Sequence, residues 1–378
     1  MPNYYIKLTQ NRYMEKFKSK NIALSIIKSI ICIIFLFPLV FNFTLNCSKN
    51  ETIETLANET TTPEVEHFFT HCLIVNPALA FRSDNFMAND YDKDCLTTSE
   101  FSKIIESFYS NNYMLVNANM CFSIDENGKA HKKAPALPKG KKPLILSIDD
   151  VNYDHRKMHL GMADKLAVDK NGTLCSIIDG KYDYEKEFVS VLNNFIFLHP
   201  DFSFKNSKAM LCLTGYDGIL GYRTQTGDEQ EISQAKKVVK KLKDDGYYFA
   251  CHSYGHYHMQ KVSNKTFESE VELWKSEVEP LIGKTNIYVY PYGENLIVEN
   301  DKVAYKHQLL LDNGFKLFCG VGDLHFYSYY PFHTASENQV LFMDRRSMDG
   351  YSLRKHQKQY SEFFNCYKVY DNERKVKI

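Results

Sequence analysis

The run Leu144–Ile148 (LILSI), placed after Pro143, carries no charged residue and only one small polar one, Ser147. A strand of that composition is buried on both faces, which is the condition inside a parallel sheet covered by helices. The flanking sequence supplies the rest of such a sheet. His67–Val75 (HFFTHCLIV), Tyr113–Asn117, Tyr247–Cys251, Ile287–Tyr290, Lys316–Val321 and Val340–Met343 read as strands, and Ser99–Ser110 and Glu229–Asp245 as helices. In the second helix Ile232, Ala235, Val238, Val239 and Leu242 make one apolar stripe, and Gly246 suits the C-cap. Strands alternating with helices predict an α/β fold, a parallel (β/α) barrel. Chemistry in such barrels collects at the carboxyl ends of the strands. Here those ends carry Asp149-Asp150, His252–His256, Pro291-Tyr292-Gly293, Asp323 and Asp344-Arg345.

Ahead of this domain, residues 22–43 (IALSIIKSIICIIFLFPLVFNF) are almost wholly apolar and follow a flank with Arg12, Lys16, Lys18 and Lys20. That length suits a membrane span. Glu51, Glu54, Glu59, Glu64 and Glu66 follow it, so the charge asymmetry puts residues 1–21 in the cytoplasm and the rest outside. The long basic flank and the lack of an A-x-A-like site favour an uncleaved anchor over a cleaved signal segment. Residues 44–65 are polar and aperiodic, as a linker is, and 66–378 read as one catalytic domain ending in a basic tail at Arg374–Lys377. The expected location is the cell membrane with an extracytoplasmic domain, or secretion.

The 46 basic and 46 acidic residues cancel, leaving no positive footprint for a phosphate backbone, so nucleic acid is not an expected partner. Nine of the ten cysteines follow the apolar segment without regular spacing. Cys212, Cys251 and Cys319 sit in apolar runs and read as core residues; Cys95 and Cys121 are candidates for a bridge.

His252 and His256, four residues apart, can meet on one face if the segment curls into a helical turn. Two imidazoles and one carboxylate leave coordination positions open on zinc or a similar divalent ion, the arrangement of a catalytic rather than a structural site. A second carboxylate alongside can accept the proton of a water that attacks a carbonyl carbon. His258 reads as solvent-facing, and Tyr254 and Tyr290 as candidates to line a groove, with a core role equally open for Tyr290.

The chain resembles polysaccharide deacetylases of the NodB type, carbohydrate esterase family four. Ser147-Ile148-Asp149-Asp150 matches that family's first motif, His252–His256 its second and Pro291-Tyr292 its third. Leu213–Tyr216 and Leu220–Thr224 are similar to a Gram-positive branch. The resemblance implies a distorted (β/α) barrel with fewer than eight regular strands. It implies Asp149 as general base, Asp150, His252 and His256 as ligands of a divalent metal, zinc foremost, and the Tyr292 backbone N–H as oxyanion donor. Tyr290, Pro291 and Gly293 would border the substrate, an N-acetylated amino-sugar polymer such as peptidoglycan or a poly-N-acetylglucosamine-like glycan. The chain departs from the family twice. Val289 stands where an Arg orients the base, and the late strand Val340–Arg345 lacks the His that serves as acid. Arg345 is a candidate replacement for the guanidinium, Asp323 a candidate supporting group, and His325 and His333 candidates for the acid. Those losses also motivate a rival expectation, a catalytically silent carbohydrate-binding wall protein; an O-acetyl esterase shares the same site.

Overall fold

The computed structural model describes residues 64–296, 301–326 and 340–378. The segments 1–21 and 22–43, nearly all of 44–65, and His333 lie outside the described residues. Among those described, no helix is long and apolar enough to cross a membrane.

The centre is a nine-stranded, all-parallel sheet. In chain order its strands are β1 (Glu66–His71), β2 (Tyr113–Leu115), β3 (Lys142–Asp149), β4 (Met210–Leu213), β5 (Tyr248–Cys251), β6 (Ile287–Val289), β7 (Leu317–Cys319), β8 (Leu341–Met343) and β9 (Arg346–Ser347). The spatial order is β8-β7-β6-β5-β4-β3-β1-β9, with β2 added to the start of β3. β8 and β9 are one stretch of chain interrupted only by Asp344 and Arg345. Its first half pairs with β7 and its second half with β1, so this single segment closes the sheet into a ring.

Period-two alternation explains the two cores. Along β3, Leu144, Leu146 and Ile148 face an outer layer, while Ile145 faces an inner cluster with Met210, Cys212, Ala250, Ile287, Val289, Leu317, Cys319, Leu341 and Met343. Val116, Ala118, Cys121, Phe122 and Ala130, from the segment after β2, join the same inner cluster. The outer layer is held by helices such as α1 (Thr98–Ser110), whose Thr97 and Glu100 form a reciprocal cap and whose Phe101, Ile104, Ile105 and Phe108 are buried. In α2 (Glu229–Asp244), Asp228 caps the first turn and Ala235, Val238, Val239 and Leu242 face inward. The chain leaves α2 through Gly246 at φ 97°, where a Cβ would lie 1.8 Å from the Asn206 carbonyl oxygen, so only glycine fits.

Several strands are shorter than expected: the first ends at His71 rather than Val75, the one after α1 at Leu115 rather than Asn117, and β7 spans only Leu317–Cys319. The expected Cys95–Cys121 bridge is absent. Both thiols are free, Cys95 in the outer cluster and Cys121 in the inner one. Within the basic tail, Arg374 is buried against Glu100.

Candidate active site

Strand ends bring the polar residues together. β3 delivers Asp149 and Asp150, β5 delivers His252 directly after Cys251, β6 runs into Pro291–Gly293, and the ring-closing segment delivers Arg345. Asp149, Asp150, His252, His256 and Arg345 border a cavity of about 500 Å³ that also takes in His71, Lys157, Tyr216, Tyr292 and Gly293, within the size range of small-ligand sites.

Inward alternation along β3 puts Ser147 and Asp149 on the lumen side, above Ile145. Asp149 is 2 % exposed. Arg345 grips it with both arms of its guanidinium, Nη1 donating to Oδ1 at 2.7 Å and Nη2 to Oδ2 at 3.0 Å. The same guanidinium donates to Ser147 Oγ at 3.3 Å and lies 4.2 Å from the centre of the Phe69 ring. Burial works against ionisation of Asp149, but Arg345 and then His252 outweigh it and hold the carboxyl well below its usual range. Val289 brings no guanidinium to Asp149, and Arg345, on the ring-closing segment, supplies one. This planar, bidentate geometry fixes the carboxylate orientation.

The three expected ligands also converge: one candidate ligand atom from each of Asp150, His252 and His256 lies within 4.8 Å of the others. His252 Nδ1 donates to the Val289 carbonyl at 2.9 Å, which leaves Nε2 as the lone-pair nitrogen. Burial holds His256 down at about 4 against the pull of Asp150, so its ring is neutral and able to ligate at physiological pH. Asp150 Oδ1 is buried with no hydrogen-bond partner among the described residues, a state that costs about 1–3 kcal/mol unless a cation relieves it. One carboxylate and two neutral imidazoles therefore fit a divalent metal. In the other acidic group near the cavity, around His155, Asp154 and Asp217 are already paired with Arg156 and Arg223.

The backbone is bent to make this meeting possible. His252–His256 is a loop, not the helical turn expected, and its rings come to 4.9 Å through left-handed backbone at Ser253 (φ 60°) and His256 (φ 55°). Asp150 (φ 54°) and Tyr292 (φ 57°) share that conformation. Such residues cost of order 1–3 kcal/mol each and persist where surrounding structure imposes them.

The remaining expected residues divide. Tyr292 is 59 % exposed, its ring stacked on His258 at 4.1 Å. Gly293 (φ 66°) packs so closely on Val321 that a Cβ would come within 2.7 Å. Pro291 is buried beneath them. Tyr290 borders the cavity, but its ring is wholly buried on the face of its strand opposite Val289 and packs on Tyr288 and Phe318, the core role left open above. Asp323 is exposed and does not border the cavity. His325 pairs with Glu66 at 2.8 Å, at the start of β1 and away from the site. Tyr254 packs behind Gly215 and donates to Glu277 at 2.6 Å. The cavity residues His71 and Lys157 carried no motif signal; only alternation with His67 along β1 marked His71 as inward-facing.

Residues 223–311 match the family model for polysaccharide deacetylase, a stretch that contains His252, His256 and Pro291–Gly293 while Asp149 and Asp150 lie upstream. No curated protein matches the chain. Among solved structures it is similar to the Streptococcus pyogenes deacetylase PplD in complex with acetate, at 14 % identity over 75 % of this chain and 93 % of that one, with a TM-score of 0.43. It is also similar to a polysaccharide deacetylase from Bacillus cereus, at 14 % identity over 80 % of this chain and 69 % of that one, with a TM-score of 0.42. On the family match, residues 223–311 are similar to the polysaccharide deacetylases.

Proposed function

We propose that the chain removes acetyl groups from an N-acetylated amino-sugar polymer of the peptidoglycan or poly-N-acetylglucosamine kind, with a divalent metal, zinc foremost, held by Asp150, His252 and His256. The observation that carries this reading is the convergence of those three residues beside an Asp149 that Arg345 has already engaged. When bound, the metal supplies a Lewis acid that lowers the pKa of water and polarises the acetyl carbonyl. Asp149, pinned by Arg345, faces the attacking water as an ionised acceptor and takes its proton. The backbone N–H of Tyr292, at the cavity edge, would donate to the carbonyl oxygen as negative charge builds on it. Arg345 also weakens the case for a silent binding protein, because the guanidinium missing at Val289 has a substitute. Purified protein should carry about one equivalent of metal, release acetate from an N-acetylglucosamine oligomer, lose that activity to a chelator and regain it with zinc. Tightly bound metal with no acetate release from any acetylated amino-sugar oligomer would end this reading.

The location follows from residues 22–43 and the charge difference across them. The chain is read as tethered to the cell membrane with its catalytic domain outside. It should then sediment with membranes and be digested by protease added to sealed cells; a soluble, protected domain would contradict the tether.

A further inference from the structure

We propose that His71 is the proton donor to the departing amine, a role that rests on the deacetylase reading above. The register of the sheet places it. β1 and β3 pair in parallel with His71 opposite Asp149, so the two residues end adjacent strands at the same height. Asp149's partner on the other side is Cys212, a fully buried thiol. His71 also shares a strand face with His67, which points into the lumen and reaches Ser147 Oγ at 3.0 Å. It borders the same cavity as Asp149, Asp150, His252, His256 and Arg345.

Its ring is oriented for donation, which takes place from the imidazolium, the form with a hydrogen on both nitrogens. Nδ1 lies 2.8 Å from the Asp94 carbonyl oxygen, and a carbonyl only accepts, so Nδ1 carries a hydrogen and Nε2 is the nitrogen left for the cavity. His71 stands outside the trio whose ligand atoms converge within 4.8 Å, so it is not tied up as a ligand. It is nonetheless close enough to add to the field that keeps Asp149 and Asp150 ionised. The ring-closing segment offers no histidine here. β1 lies between that segment and β3, so the place beside the base belongs to His71, while Arg345 reaches across to hold Asp149.

In the step assigned to His71, the tetrahedral carbon collapses and its C–N bond breaks, the electron pair going to nitrogen. The Nε2–H bond breaks as the new N–H bond forms, leaving a neutral ring, a free amine and acetic acid. Asp149 then gives the proton it took from water to solvent, and the ring regains one from solvent, so the cycle consumes only water and the amide.

An amine needs this proton to leave; a nitrophenolate does not. In the full chain, His71→Gln should lower kcat on an N-acetylglucosamine oligomer by roughly 100-fold or more, keep its hydrolysis of para-nitrophenyl acetate within about fivefold of wild type, and retain the wild-type metal content. Lys157→Met, which removes another of the cations lining the cavity, should leave the ratio of the two rates unchanged. Equal losses on both substrates, loss of metal from His71→Gln, or selective loss in Lys157→Met alone would overturn the assignment. Wild-type protein that cleaves the aryl ester but no acetamide would overturn the deacetylase reading, and the role with it.

Discussion

Asp149→Asn is expected to lower kcat for acetate release by roughly a thousandfold, with metal content unchanged. The amide has nearly the shape of the carboxylate but cannot accept a proton from water. Arg345 makes the substitution informative: it takes one lone pair of each carboxylate oxygen, at 2.7 and 3.0 Å, and so fixes the orientation of the pairs left to face the cavity. The variant leaves the buried guanidinium without a counter-charge, its acceptors reduced to one amide oxygen, Ser147 Oγ and the Gly320 carbonyl. Breaking one side of a buried pair typically costs about 3–5 kcal/mol, so melting should be measured beside turnover. Arg345→Met joined to Asp149→Asn removes the stranded charge and should recover much of the lost stability without recovering rate. If Asp149→Asn stays within tenfold of wild type in a folded, metal-loaded state, Asp149 is not the base. Unlike His71→Gln, it should lose the aryl ester and the acetamide together, since both need the water deprotonated.

What the sequence discloses here is set by whether a signal is local. The LILSI run announces a strand covered on both sides because every residue of it meets protein, and the observed β3 is buried along nearly its whole length. The stripe of α2 is likewise a local period, and its expected and observed ends differ by one residue. Tyr290 was decipherable on the same basis: Val289 faces the lumen, so alternation sends its neighbour outward to Tyr288 and Phe318. Arg345 could be named only as a candidate for the missing guanidinium, and His71 not as a site residue at all. Their roles depend on which strands become neighbours when the ring closes, and 196 positions separate Arg345 from Asp149. The loop at His252–His256 shows the intermediate case, in which four-residue spacing names the right residues while the backbone that joins them is left-handed rather than helical.

The chain's end supplies the second large effect. Arg374→Met should destabilise the domain by about 3–5 kcal/mol, a large share of the 5–15 kcal/mol typical of a folded protein. The Arg374 guanidinium is wholly buried. It donates to Glu100 through Nε and Nη2, both at 2.7 Å, to the Cys95 carbonyl at 2.6 Å and to the Asp92 carbonyl at 2.8 Å. Glu100 is at the same time the third residue of α1 and accepts from the Thr97 N–H at 2.9 Å and the Asp371 N–H at 3.0 Å. Removing the cation leaves that carboxylate buried with only backbone donors, and Gly350, where a Cβ would lie 2.5 Å from Nη1, loses the group packed against it. The segment tied down is also the one whose Asp94 carbonyl orients His71, so the clamp at the terminus and the floor of the cavity share a support. Denaturant unfolding measures the cost. Adding Glu100→Gln to Arg374→Met should return part of it, because no unpaired buried charge remains. A loss below about 1 kcal/mol in Arg374→Met would mean that the tail adds no more than an exposed ion pair does.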